Sequence, residues 1–329
     1  MTDYEPILDE KKSRFTVYPI EYEGIWKLYQ QQMACMWKAQ EVDFSKDYDD
    51  FSTLEPNVQH FIKMILSFFA SSDGIVNFNL SERFLKDVQI IEARIAYTFQ
   101  MMMEWVHAES YSLMLDNIVK DPVEKKRLFD SISTVPSVKM ISDWAMEWID
   151  SDLSFHHRVI AFAVVEGIMF SGAFAAIFWL KKYMSNGRLF MQGLVKSNEF
   201  IARDEGLHTI FACEIYALLK NKLDYNDVLK IVLNGTDIAK NFMKDALPVR
   251  LIGMSDESMG EYLEYVCDRL LDSLGYEKYY KTKNPFVFME TIGMLQKTNF
   301  FESRPTEYQS AYVFNNDDKT KEWNISDDF

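Results

Sequence analysis

Residues 103 to 111 read MEWVHAESY. Glu104 stands three positions before His107, and Tyr111 stands four after it. At about 100° per residue, Glu104 and His107 lie about 60° apart on a helix, and Tyr111 about 40° from His107. An acid, an imidazole and a phenol thus share one face of an apolar segment. An acid and a histidine so placed can ligate a divalent metal, or can simply form a solvated face or a satisfied polar spot in a core. With 50 acids and 5 histidines in 329 residues, about 0.8 such pairs arise by chance, so one alone decides little. A second pair, Glu205 and His208, stands in RDEGLH.

The elements that must position these pairs follow from the prolines. None lies between Pro56 and Pro122 or between Pro136 and Pro248, and both windows are rich in Ala, Met, Leu, Phe and Ile. The first predicts helices over 55–84 and 89–118 around the polar break LKDVQ. The second predicts helices over 155–183 and 189–220 around MSNGR. Further helices are expected at 22–40, 135–149, 225–246 and 256–274, and no hairpin signal appears, so the fold class is all-α, a helical bundle.

Each long hairpin carries one acid in the apolar part of its other helix: Asp73 in FASSDGIVNF and Glu166 in AVVEGIMF. Asp73 and Glu104 are each about 15 residues from their break, and Glu166 and Glu205 each about 19 to 20 from theirs, so antiparallel packing brings each lone acid level with a Glu-x-x-His. Four carboxylates and two imidazoles then face inward from four helices. Unpaired, such buried charge is prohibitive, and two divalent cations would cancel it. Oxygen-rich ligation with one His per metal suits Fe or Mn, in the manner of carboxylate-bridged di-iron and di-manganese bundles.

Apolar residues make up 48% of the chain, which fits a soluble globular protein rather than a disordered one. A net charge of −15 argues against nucleic acid as a partner. MTDYEPILDEKK is too polar for a signal peptide. Cys35, Cys213 and Cys267 are scattered, which suggests reduced thiols and a cytoplasmic protein. Residues 159–180 are long and apolar enough to span a bilayer, but basic residues flank both ends and Glu166 sits near the middle, so a central helix of a bundle and no membrane association are expected. Residues 1–20 read as an extended N-terminal arm, 21–302 as the helical domain, and 303–329, rich in Asp, Asn and Ser, as a flexible C-terminal tail.

With RFTVYPIEY, WKAQEVDFSKD, SSDGIVN, MEWVHAESY, AFAVVEGIMFSG, RDEGLH and the terminal SDDF in this order, nearly the whole chain resembles the small, radical-generating subunit of class I ribonucleotide reductase, of the eukaryotic and viral type. The resemblance implies a ferritin-like helical bundle with a four-helix di-metal core. It implies two Fe ions, oxo-bridged, with Mn possible as a substitute: Asp73, Glu104 and His107 for one, Glu166, Glu205 and His208 for the other, with carboxylates bridging. It implies that the iron pair activates dioxygen and that Tyr111 is oxidised to a stable radical inside an apolar sheath of Phe170, Phe174 and Ile201.

The same resemblance implies an export route. Trp37 matches a relay tryptophan, linked through Asp204 to His107, where the residues alone suggest a core position on an amphipathic helix. Tyr308 matches a tail tyrosine that hands the hole to the large subunit, with Tyr312 the weaker candidate. Trp323, Ile325 and Phe329 match a terminal peptide that docks on that subunit. The resemblance also implies a homodimer, with substrate and effector nucleotides bound by the large subunit. Departures are Phe78, where Glu is expected, and a longer loop at YMSNGRLFMQG. Trp105 and Phe155 read as packing. Another di-iron oxidase, a ferritin-like iron store and a helical scaffold are the competing readings. Tyr111, Trp37 and the tail argue against the first, chain size and the single Asp ligand against the second, and the six inward polar residues against the third.

Overall fold

The computed structural model describes residues 4–185, 189–247, 251 and 253–289. The sequence element order is α1 (Glu23–Ala34), α2 (Asp47–Ser52), α3 (Pro56–Asn79), α4 (Leu85–Asp87), α5 (Ile91–Ile118), α6 (Pro122–Phe129), α7 (Ser131–Thr134), α8 (Pro136–Asp150), α9 (Phe155–Val164), α10 (Phe170–Tyr183), α11 (Gln192–Leu218), α12 (Tyr225–Ala246) and α13 (Asp256–Ser273). No strand occurs among the described residues, so the all-α expectation holds. The prolines act as starts: Pro56, Pro122 and Pro136 each open a helix, where the missing N–H is not needed.

Two antiparallel pairs make the core. α3 packs along α5, and α9 and α10 pack along α11. Two π-helical turns interrupt the long rods, Leu80–Phe84 between α3 and α4 and Val165–Met169 between α9 and α10. The second carries Glu166, and the wider turn changes the direction in which that side chain leaves the helix. Helices long and apolar enough to cross a membrane, Pro56–Asp87 and Phe155–Tyr183, have 67% and 89% of their most apolar windows buried inside the protein. Their apolar surface is used by neighbouring helices, as expected for 159–180.

α11 starts three residues later than expected. Met191 takes a left-handed backbone (φ 43°), and its N–H donates to Asp50 Oδ2 at 2.8 Å. Asp47 of α2, buried, accepts from the N–H groups of Gly193 and Leu194 at 3.0 and 2.6 Å. A carboxylate at a helix start satisfies orphan N–H groups and complements the helix dipole. Gly193 is needed there, because a Cβ would lie 2.8 Å from the Asp43 carbonyl oxygen.

Other expectations need correction. α1 ends at Ala34, not at residue 40, and Trp37 sits in the non-helical link before a 3-10 turn at Ala39–Glu41. The cause is a pair of side chains from α11: Arg203 Nη2 donates to the Cys35 carbonyl at 2.6 Å, and Asp204 takes the Trp37 indole N–H. The arm is not simply extended: it makes 3-10 turns at Pro6–Leu8 and Glu10–Lys12. Glu5 is buried and accepts from the N–H groups of Lys220 and Asn221 at 2.7 and 2.9 Å. Trp105 is 61% exposed and packs little within the chain, whereas Phe155 is buried and Phe78 lies on the surface. The proposed tail, with Tyr308, Tyr312, Trp323, Ile325 and Phe329, and the boundary at 302 lie outside the described residues.

Candidate metal centre

α3, α5, the π turn after α9, and α11 converge on one buried cluster. Ligand atoms of Asp73, Glu104 and His107 lie within 4.8 Å of one another, and so do those of Glu104, Glu166, Glu205 and His208. All six side chains are 2% exposed or less. Two carboxylates reach both imidazoles. Glu104 Oε2 is 3.5 Å from His107 Nδ1 and its Oε1 is 2.9 Å from His208 Nδ1. Glu205 Oε1 is 3.0 Å from His107 Nδ1 and its Oε2 is 3.1 Å from His208 Nδ1. Glu104 and Glu205 therefore hold the positions from which a carboxylate can bridge two ions, with Asp73 and Glu166 at the two ends.

The donor atoms fit a metal better than they fit one another. Among the described residues, Asp73 Oδ2, both Glu104 oxygens, Glu166 Oε2 and His107 Nδ1 make no hydrogen bond of good geometry, the close carboxylate–imidazole approaches included, though all are buried. Buried polar atoms are rarely left so, and a group of them converging on one point is what an ion requires. Without an ion the acids repel each other. Burial, then the neighbouring carboxylates, hold Asp73 and Glu166 well above the usual acid range. Burial opposes ionisation of Glu205 too, but hydrogen bonding from Glu166 and the charge of His208 hold it low. Burial would neutralise His208, but Glu205 and Glu104 push it up to about 9. His107 is likewise held high against its burial by Asp204, Glu104 and Glu205.

Protons therefore do the neutralising that two cations would do. Loading with divalent metal should release protons, and affinity should fall as pH drops below about 9, where His208 holds its proton. Titration of the metal-free chain with ferrous iron in weak buffer measures both, and proton-neutral uptake independent of pH would contradict it.

Beyond the cluster, His107 Nε2 is 3.1 Å from Asp204 Oδ2, and Trp37 Nε1 donates to the same oxygen at 2.8 Å. The Trp37 and His107 rings lie 6.1 Å apart at 24°. Arg203 holds the other Asp204 oxygen through Nε and Nη2 at 3.0 and 2.8 Å. Burial would raise the Asp204 carboxyl, but the Arg203 charge and the His107 and Trp37 hydrogen bonds keep it below its ordinary value.

Tyr111 is 1% exposed, and its hydroxyl has no hydrogen-bond partner among the described residues. Burial, then the charge of Asp73, push its phenol well above the usual range, so it stays neutral. The expected sheath residues Phe170, Phe174 and Ile201 are all buried. The ring lying face to face with Tyr111 is another, Phe69, with centroids 4.4 Å apart and planes at 5°.

Sequence reasoning missed three neighbours. Phe69 and Gln100 each stand one turn before a cluster acid on its own helix, and Arg203 directly precedes Asp204, but many core residues share such positions and spacing alone does not single these out. Gln100 Nε2 donates to Glu166 Oε1 at 3.2 Å.

A profile described as "Ribonucleotide reductase, small chain" matches residues 14–285. This chain belongs to the ribonucleotide reductase small-chain family. It is 48% identical to the ribonucleoside-diphosphate reductase small chain of Trypanosoma brucei brucei over 99% of this chain and 95% of the relative. It is 50% identical to that of monkeypox virus, over 95% of this chain and 97% of the relative. Among solved structures, the ribonucleotide reductase Rnr4 homodimer of Saccharomyces cerevisiae matches with TM-score 0.78 and 36% identity, covering 89% of this chain and 93% of that one. The chain is thus a class I, ferritin-like oxidoreductase subunit of that family, and the eukaryotic and viral resemblance holds.

Proposed function

We propose that this chain is the radical-generating subunit of a ribonucleoside-diphosphate reductase, and that it stores an oxidising equivalent on Tyr111 for a large subunit that reduces ribonucleotides to deoxyribonucleotides. The observation that carries this reading is the buried, unpartnered Tyr111 phenol one helical turn from His107 of the carboxylate and histidine cluster. Asp73, Glu104 and His107 would hold one ion, and Glu166, Glu205 and His208 the other, with Glu104 and Glu205 spanning the pair. The donor set suits iron or manganese, and the presence of Tyr111 favours iron. Held there as a ferrous pair, metal ions would supply electrons to dioxygen and, with it, the oxidising power to take one electron and one proton from a phenol.

The chain's own residues do the rest. Tyr111 stays protonated in its apolar pocket, so it gives up proton and electron together. The surrounding rings exclude water and reductants from the product. Asp204 fixes the orientation of His107 through Nε2 and leaves Nδ1 facing the cluster. Trp37, hydrogen-bonded to the same carboxylate, continues that path toward the surface.

Tyr308 would pass the hole onward, and Trp323, Ile325 and Phe329 would anchor the tail to the large subunit as a segment that folds on binding. In the same reading residues 21–302 form the metal-binding domain, 303–329 the docking tail, and the working unit is a cytoplasmic homodimer. Deleting residues 303–329 should abolish ribonucleoside-diphosphate reduction with a class I large subunit while metal content and the Tyr111 radical stay unchanged. Full activity in the shortened chain would contradict the docking role.

A further inference from the structure

Phe69 is fully buried on α3, one turn before Asp73. Its ring covers a face of Tyr111 at 4.4 Å and 5°, and it also stacks with Phe174 at 5.0 Å and 28°. It packs at 5.8 Å and 50° on Phe170. Near-parallel planes with centroids 4.4 Å apart form an offset stack, a preferred aromatic arrangement, and here it sets a hydrocarbon ring against the oxidisable ring nearest the cluster on its own helix.

We infer that Phe69 is a positioning residue for the Tyr111 radical: it fixes the ring's rotation about Cβ–Cγ and closes one face to reductants. The inference rests on the proposed function above.

The reasoning is stereoelectronic. The unpaired spin of a phenoxyl radical occupies the π system, perpendicular to the ring. Its coupling to the two Cβ hydrogens depends on the ring's angle about Cβ–Cγ, so whatever sets that angle sets the splitting. Among the described residues none hydrogen-bonds the Tyr111 hydroxyl to set it. Face contact is therefore the main restraint on the ring plane. A phenyl ring carries no oxygen to lose a proton from, so Phe69 can touch the radical without taking the hole. Quenching returns one electron and one proton to Tyr111 Oη, and a hydrophilic donor needs contact with the ring or a short path to it. A stacked hydrocarbon denies that approach on the covered side.

The test uses the full-length, iron-loaded chain exposed to air. Phe69→Leu and Phe69→Met remove the flat face, Met with an unbranched, flexible side chain that adapts to the space should Leu fail to fold. Phe68→Leu is the control. Phe68 is equally buried and packs on Phe69, Phe170 and Phe242, with rings 5.6, 5.6 and 4.7 Å away. The readouts are the Cβ-hydrogen splitting in the electron paramagnetic resonance spectrum and the radical's half-life in ascorbate.

Both Phe69 variants should show an altered or broadened splitting and a half-life shortened several-fold, and Phe68→Leu should keep the parent pattern. An unchanged splitting and half-life in the Phe69 variants, or an equal change in Phe68→Leu, overturns the inference and leaves the proposed function standing. No radical in the parent chain overturns the proposed function, and this inference with it.

Discussion

Replacing Trp37 by Phe should leave metal content and the Tyr111 radical intact and bring ribonucleotide reduction with the large subunit to background. The argument is the shared oxygen: Asp204 Oδ2 takes both the Trp37 indole N–H at 2.8 Å and His107 Nε2 at 3.1 Å. Phe fills most of the same buried space, so packing is largely kept. What it lacks is the N–H donor and the easily removed electron that a relay needs. Asp204→Asn should act differently. Asp204 stands behind a proposed ligand, and loss of such a partner typically costs about 10–100-fold in metal affinity or activity. It also strands the Arg203 guanidinium, and breaking a buried pair costs about 3–5 kcal/mol, which its partial exposure of 21% would reduce. Asp204→Asn should therefore lose stability, metal and activity together, whereas Trp37→Phe loses activity alone. Activity assays beside iron analysis and thermal melts separate the two, and a Trp37→Phe chain with parental activity would contradict the relay.

Replacing Glu104 by Gln should have the largest effect on the metal centre. Glu104 belongs to both ligand groups, and its two oxygens face different imidazoles. An amide keeps the shape but gives up the charge and half of the ligation, so uptake should drop from a pair of ions to one or none. The stability change should differ between the two states. In the metal-free chain Glu104 faces the His107 and His208 imidazoles as well as the other acids, so attraction and repulsion offset and the melting temperature should change little. With free metal at roughly 100 times its dissociation constant, each lost site forfeits about 2.7 kcal/mol of stabilisation. Melting curves with and without ferrous iron, alongside metal analysis, decide it. Parental metal content in Glu104→Gln would remove Glu104 from the bridging role.

Much of this was legible from spacing. Equal distances from the two hairpin breaks placed Asp73 level with Glu104, and Glu166 level with Glu205, and the helices bring each into a common cluster. Such register survives because long helices are rigid rods. What escaped depends on contacts distant in sequence. The helix through residue 40 was an extrapolation of local preference, and it fails because Arg203 and Asp204, on α11, bind Cys35 and Trp37. The N-terminal arm, too polar to suggest a fold of its own, takes shape because Lys220 and Asn221 offer N–H groups to Glu5. Phe69 was hidden for the opposite reason: one phenylalanine in FFASSD looks like any other until the ring opposite it is known. The π turn at Glu166 has no sequence signature in AVVEGIMF, since all of its residues are compatible with an unbroken α-helix.

If a metal pair in this cluster oxidises Tyr111, electron paramagnetic resonance will show it on metal-free chain loaded anaerobically with ferrous iron and then exposed to air, with Tyr111→Phe beside it. A persistent organic radical should form in the parent chain and none in the variant, with equal iron in both. Equal iron with no radical in the parent, or the same radical in Tyr111→Phe, would contradict it.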